Sequence, residues 1–264
     1  MTRPMRIAFF APEEPTQLPP LFGRLLPALA HDDLTMVIVR PVYKGSSLRR
    51  EALRFGRAFG WRELTIESAS VLRHRAADVA NRTAGVGSFH SVAAAAAAHQ
   101  VPTLRPGDIN EPSFVARIAA LEPDLLVSVS CPQIFGRALL DVPSIACLNL
   151  HSALLPQYRG VLPTFWAMAN GEDETGVTLY VMSEGIDDGE IVSQRRIPIE
   201  PGTTLRSLMT ACKTAGGELI LQAIDDLREG SLVTSSPATT GASYYSFPGR
   251  SDVQRFRAHG WRLR

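Results

Sequence analysis

Cysteine is scarce in this chain: Cys131, Cys147 and Cys212 are scattered along 264 positions. An odd number without repeated spacing gives neither a disulfide framework nor a metal-ligand set, so the expectation is a reducing, cytoplasmic setting and no bound metal. An excess of charge of one sign is missing too. The 27 basic and 26 acidic residues leave a net charge of +1, which gives no global nucleic-acid surface but leaves local basic patches open. No apolar run is long enough to cross a bilayer. The start, MTRPMRIAFFAPEEP, passes from a short apolar strand straight into proline and acid, unlike a secretory signal. The length allows a substantial core in one large α/β domain, or one domain with an extension.

Strand and helix patterns alternate. Arg6 to Ala11 reads as a strand, Pro20 to Ala30 as a helix and Leu34 to Val39 as a second strand. An alanine-rich helical zone runs from His90 to His99, followed by a short extended piece, Val101 to Leu104. A helix from Pro112 to Leu121 leads through Pro123 into a strand from Leu125 to Ser130. This order predicts a Rossmann-like, doubly wound, mostly parallel sheet. Thr204 to Glu229 has helical periodicity, ends near Gly230 and is expected to cover the sheet.

Two segments fall outside that pattern. Tyr43 to Arg82 carries Lys44, Arg49, Arg50, Arg54, Arg57, Arg62, Arg73, Arg75 and Arg82 against few acids. Its plain reading is one or two amphipathic helices with solvated arginines; the sharper one is a basic face that gathers an anionic acceptor. The tail after Ser235 is aromatic and then basic, and is too short for a full second domain. The body is accordingly assigned to residues 1–234 and the extension to 235–264, which either docks on the body or caps a homodimer.

The densest chemistry lies in LNLHSALLPQYRG, Leu148 to Gly160. Asn149 and His151 are two residues apart, so on an extended backbone both side chains leave one face. Ile145 to Leu148 is apolar, while Pro156 and Gly160 forbid regular continuation, which puts the pair at a strand's carboxyl end, where open α/β sheets bind ligands. An amide that can donate to an oxyanion beside a proton-transferring imidazole suits attack on a carbonyl. After a strand-like run from Gly176 to Met182 comes Gly185-Ile186-Asp187-Asp188-Gly189, a tight turn whose carboxylate can orient the imidazole or hold a water. Taken singly, these are more often a turn aspartate and satisfied polar residues.

Together they resemble the core signature of folate-dependent formyltransferases, the group that includes methionyl-tRNA, glycinamide ribonucleotide and sugar N-formyltransferases. LNLHSALLPQYRGVLPTFWAMANGEDETGVTLYVMSEGIDDGEIV carries the resemblance. It is dense over Leu125 to Pro198, weaker from Met5 to Ala11 and Val101 to Pro123, and poor elsewhere. It implies the α/β fold of the formyltransferase type, a catalytic domain over residues 1–234, and Asn149, His151 and Asp187 as the catalytic triad. In the mechanism so implied, Asn149 and protonated His151 stabilise an oxyanion, and Asp187 helps to move the proton of the attacking amine. One departure concerns the family's His-x-Ser-Leu-Leu-Pro, which here reads His151-Ser152-Ala153-Leu154-Leu155-Pro156, without the hydroxyl in its usual place.

The implied co-substrate is 10-formyltetrahydrofolate, with no metal. By correspondence its pterin meets the loop Ser130, Cys131, Pro132, Gln133, Ile134 and Phe135, with Glu184, Gly185, Ile186 and Asp187 on the other wall. The acceptor is expected to be a small-molecule amine, such as an amino sugar on a nucleotide or an N-hydroxylated amino acid. Ala11-Pro12-Glu13-Glu14-Pro15 is a poor phosphate cradle where ribonucleotide enzymes have a Gly-rich loop, and the tail cannot supply the basic domain of tRNA enzymes. The alternatives are formyltetrahydrofolate hydrolysis, a tRNA- or ribonucleotide-directed transfer and, less favoured, a non-catalytic folate-binding module.

Overall fold

The computed structural model describes residues 3–40, 46–84, 89–238 and 240–264, with the side chains of 81–84 left outside it. The chain divides into two compact units, Met1–Cys147 and Leu148–Arg264. The first runs β1 (Arg6–Pro12), α1 (Leu18–Ala28), β2 (Asp33–Val39), α2 (Leu48–Phe59), α3 (Trp61–Ala84), α4 (Val92–Ala98), β3 (Thr103–Leu104), α5 (Pro112–Ala119), β4 (Leu125–Val129) and α6 (Arg137–Leu140). Its strands are parallel in the order β3-β2-β1-β4. Every residue of β1 but the first is buried, as a strand covered on both faces requires. Helix α1 lays Leu18, Leu21, Phe22, Leu25 and Leu26 into this core, where Phe22 meets Phe9 edge to face at 5.7 Å.

The acids after β1 cap helices. Glu14 accepts from the amides of Thr16 (2.8 Å), Gln17 (2.8 Å) and Leu18 (3.1 Å) at the start of α1, whose own N-cap side chain makes no capping bond. Glu13 accepts from the amides of Val92 (2.7 Å) and Ala93 (3.3 Å) at the start of α4. A carboxylate thus sits at each positive helix terminus, meeting donors that have no partner inside the helix.

The basic segment forms the two helices α2 and α3, and Arg49, Arg50, Arg54, Arg57, Arg62, Arg73 and Arg75 are exposed, as both readings of the segment require. Tyr43, Lys44 and the Arg82 side chain lie outside the described residues.

Strand β5 (Ala146–His151) carries the chain into the second unit, followed by β6 (Arg159–Gly160), α7 (Pro163–Ala169), β7 (Glu174–Val181), β8 (Ile191–Pro198), α8 (Leu205–Glu229), β9 (Tyr244–Tyr245) and α9 (Arg250–Ala258). Here β5, β7 and β8 pair antiparallel. Strand β8 has no counterpart in the sequence reading, because Ser193, Gln194, Arg195 and Arg196 give it the polar, exposed character of an edge strand. Helix α8 opens on a Thr204–Ser207 capping box and closes at Gly230, whose φ of +68° favours glycine. Gly216 lets α8 approach β5 closely, since a Cβ there would lie 2.4 Å from Leu150 Cδ2.

Beyond residue 235 the chain packs within this second unit. Strand β9 pairs with β6, and α9 buries Val253 and Phe256, the latter stacked on Phe165 of α7 at 5.1 Å. Among the described residues no helix is long and apolar enough to cross a membrane.

Candidate active site

The last three residues of β5 carry the expected pair. Asn149 is half-buried and His151 is buried at the end of the strand. His151 Nε2 lies 2.8 Å from the Tyr158 carbonyl oxygen. A carbonyl can only accept, so Nε2 is the protonated nitrogen and Nδ1 is the one left to change its state. Nδ1 faces Asp187 Oδ1 at 3.5 Å, a separation over which charges attract but no tight hydrogen bond forms.

Asp187 is held from two sides. Its Oδ2 accepts from the Gly160 amide at 2.7 Å, and its Oδ1 accepts from the Tyr180 hydroxyl at 2.9 Å. Its own φ is +50°, a left-handed conformation costly for a residue with a Cβ and maintained by such surrounding bonds. The turn that presents it needs glycine at 189, where a Cβ would lie 1.7 Å from the Val181 carbonyl oxygen, whereas a Cβ on Gly185 would meet the Asp188 carboxylate, 1.8 Å away at Oδ2. Arg159 braces the same turn, donating from Nε to the Ile186 carbonyl at 2.7 Å and placing its terminal nitrogen 3.5 Å from Asp188.

Tyr180 is the residue that sequence reasoning missed. It lies directly opposite Asn149 in the β5–β7 register. Its hydroxyl accepts from Asn149 Nδ2 at 3.1 Å while donating to Asp187. Burial, followed by the Asp187 charge and hydrogen bond, pushes the phenol far above the usual tyrosine range, so it stays a neutral donor. The strand containing it was legible. Its pairing partner was not, because register follows from the three-dimensional sheet.

The residues assigned to the folate by resemblance divide between the units. In the first, Gln133 is buried, accepting from the Ile109 amide at 2.9 Å and donating to the Gly107 carbonyl at 3.2 Å. The Phe135 ring is buried against Phe10, with centroids 4.8 Å apart, whereas Ile134 is 62 % exposed. Cys131 donates to the Gln133 carbonyl at 3.5 Å. Its neighbour Pro132 is half-buried in the same loop. In the second unit Glu184, Gly185 and Ile186 are exposed ahead of buried Asp187. No group of three or more metal-ligating side chains occurs among the described residues.

A family model described as formyl transferase matches residues 73–224. The chain belongs to the formyl transferase family. The match takes in Asn149, His151, Tyr180 and Asp187 and stops before β9. Among curated relatives, the methionyl-tRNA formyltransferase of Pelobacter propionicus is 40% identical over 151 residues, covering 57% of this chain and 47% of the relative. That of Geobacter sulfurreducens is 42% identical over 142 residues, covering 54% and 45%. The chain therefore spans about half the length of the curated relatives it matches.

Solved structures are similar in fold at low identity. The N-formyltransferase from Helicobacter canadensis, in complex with folinic acid and dTDP-3-aminofucose, superposes with a TM-score of 0.60 at 17% identity, over 94% of this chain and 72% of the other. Glycinamide ribonucleotide transformylase 1 from Symbiobacterium toebii gives 0.60 at 16% identity, over 89% and 95%. The formyltransferase-type α/β fold is thereby established for the chain.

Proposed function

We propose that this protein transfers a formyl group from 10-formyltetrahydrofolate to the amine of a small-molecule acceptor, with Asn149, His151 and Asp187 as its catalytic residues. The observation that carries the proposal is the linked set in which Tyr180 joins Asn149 to Asp187 while Asp187 faces His151. Asn149 spends one Nδ2 hydrogen on Tyr180 and keeps the other for the oxyanion that develops when an amine adds to the formyl carbon. His151 Nδ1, free because Nε2 is tied to Tyr158, takes the proton released by the attacking nitrogen. Asp187 compensates the imidazolium charge. Nδ1 then returns the proton to the departing folate nitrogen: one C–N bond forms, one breaks, and no net proton is consumed.

The folate would supply the activated formyl group. Within the first unit, exposed Ile134 is an apolar side chain suited to a pterin face, and the backbone around Gln133 and Phe135 is suited to its polar edge. The complex of the similar Helicobacter canadensis N-formyltransferase with folinic acid and dTDP-3-aminofucose supports a folate donor and an amino-sugar class of acceptor.

The helix termini bear on the acceptor. Glu13 and Glu14 already fill the starts of α4 and α1, so a phosphate of a ribonucleotide acceptor has no open seat at either terminus. A tRNA-directed transfer is the second reading, favoured by 40% identity to a methionyl-tRNA formyltransferase and by the exposed arginines of α2. The test is consumption of 10-formyltetrahydrofolate with amino-sugar nucleotides, N-hydroxylated amino acids or methionyl-tRNA, and without acceptor. Equal turnover without acceptor, with free formate as product, favours hydrolysis. Wild-type turnover in a folded His151→Ala variant sinks the catalytic assignment.

A further inference from the structure

Residues 158–162 form a loop that a free chain would not hold. Tyr158 and Leu162 have φ values of +57° and +55°, and Gly160 has +98°. Non-glycine residues persist in the left-handed region only where their surroundings over-determine them. Yet this loop supplies both backbone groups on which the catalytic pair depends. The Tyr158 carbonyl accepts from His151 Nε2 at 2.8 Å, and the Gly160 amide donates to Asp187 Oδ2 at 2.7 Å.

What over-determines the loop comes from more than 80 positions downstream, beyond the part matched by the family model. Strand β9 runs parallel to β6, with Arg159 opposite Tyr244 and Gly160 opposite Tyr245. The amides of Arg159 and Val161 donate to the carbonyls of Ser243 and Tyr245, both at 2.9 Å. The Tyr158 amide donates to Ser243 Oγ at 2.8 Å, and Trp166 Nε1 donates to the Ser246 carbonyl at 3.0 Å. The Tyr245 ring stacks on Tyr158 at 5.3 Å and on Trp166 at 4.6 Å. The fit is close enough that a Cβ on Gly160 would lie 2.2 Å from the Tyr245 carbonyl oxygen.

We infer that residues 243–246 are a positioning strap for the catalytic pair, clamping the 158–161 backbone so that His151 keeps its proton on Nε2 and Asp187 keeps its orientation. This rests on the proposed formyl transfer only for what the pair does. Among the described residues the polar partners of the two side chains are Tyr158, Gly160, Tyr180 and each other; the strap acts on the first two of these.

The test uses the full chain labelled with 15N-histidine, following the His151 ring nitrogens across pH alongside formyl-transfer kinetics. In the wild type, neutral His151 shows a single tautomer with Nε2 protonated. Tyr245→Ala removes both stacks and Gly160→Ala drives a methyl into the Tyr245 carbonyl; either is expected to mix the tautomers and lower kcat on the order of tenfold, with the folate KM little changed. Tyr245→Phe keeps the stacks and restores the wild-type ring signals. Ser243→Ala, which deletes a single hydroxyl, decides the matter if either larger change prevents folding. Wild-type His151 signals in a folded strap variant overturn the inference. If the wild type turns over no formylfolate but its His151 tautomer still responds to the strap, the proposed function fails and the strap stands.

Discussion

The Tyr180 hydroxyl donates to Asp187 Oδ1 at 2.9 Å from β7, the strand on which it lies directly opposite Asn149. One phenol therefore positions the amide and the carboxylate of the proposed catalytic set together. Tyr180→Phe leaves Asn149 Nδ2 and Asp187 Oδ1 each short of that partner. Hydrogen bonds to charged groups contribute roughly 1.5–3 kcal/mol, so kcat is expected to fall on the order of 10- to 100-fold with an unchanged circular dichroism spectrum. Steady-state kinetics that match the wild type would mean that the phenol only fills space.

The Glu14 carboxylate at the start of α1 stands where an anion would otherwise bind. Glu14→Ala is expected to lower stability by about 1 kcal/mol through the lost cap. It also opens the site, so inorganic phosphate should raise the melting temperature of the variant and not of the wild type. Thermal unfolding over a phosphate series checks both parts.

Asp124 is buried, and burial opposes its charge. The Arg6 amide, the Ser144 hydroxyl and the charges of Arg3 and Arg6 outweigh that cost and hold its carboxyl below the usual range. A depressed folded-state pKa contributes stability above the unfolded value of 3.8 that is lost as pH falls through the folded one. Asp124→Asn should cost roughly 2 kcal/mol near neutrality. Urea unfolding as a function of pH should show the two proteins converging below pH 3.8; parallel curves there would contradict this account.

Burial pushes the thiols of Cys131 and Cys147 up to about 12 and that of Cys212 up to about 11. At pH 8 almost no thiolate exists in the folded state. A thiol reagent should therefore label none of the three cysteines until denaturant is added. Because these pKa values are raised, the neutral thiols contribute stability below the unfolded value of 9.0 that is lost as pH climbs towards 11 and beyond. Rapid labelling of a native cysteine at pH 8 would refute the burial of that thiol.

Much of the architecture was legible because local patterns and burial agree. The apolar run in β1, the paired prolines opening α1 and the threonine and glycine bounding α8 each signal their element without reference to distant residues. Strand β8 was hidden because an edge strand carries charge. The β6–β9 pair was hidden because two-residue strands have no period to detect.

The site divides in the same way. Sequence by itself determined that Asn149 and His151 share a face at a strand's end and that Asp187 rides a glycine-bounded turn, because a two-residue pleat and steric demands at glycine act over a few positions. Only the tertiary structure decided that Tyr180 lies opposite Asn149, that the Tyr158 carbonyl selects the protonated nitrogen of His151, and that Ser243 and Tyr245 hold that carbonyl in place. Those relations join residues up to 87 positions apart, Tyr158 to Tyr245. Register and loop closure set them, and both depend on how the whole unit packs.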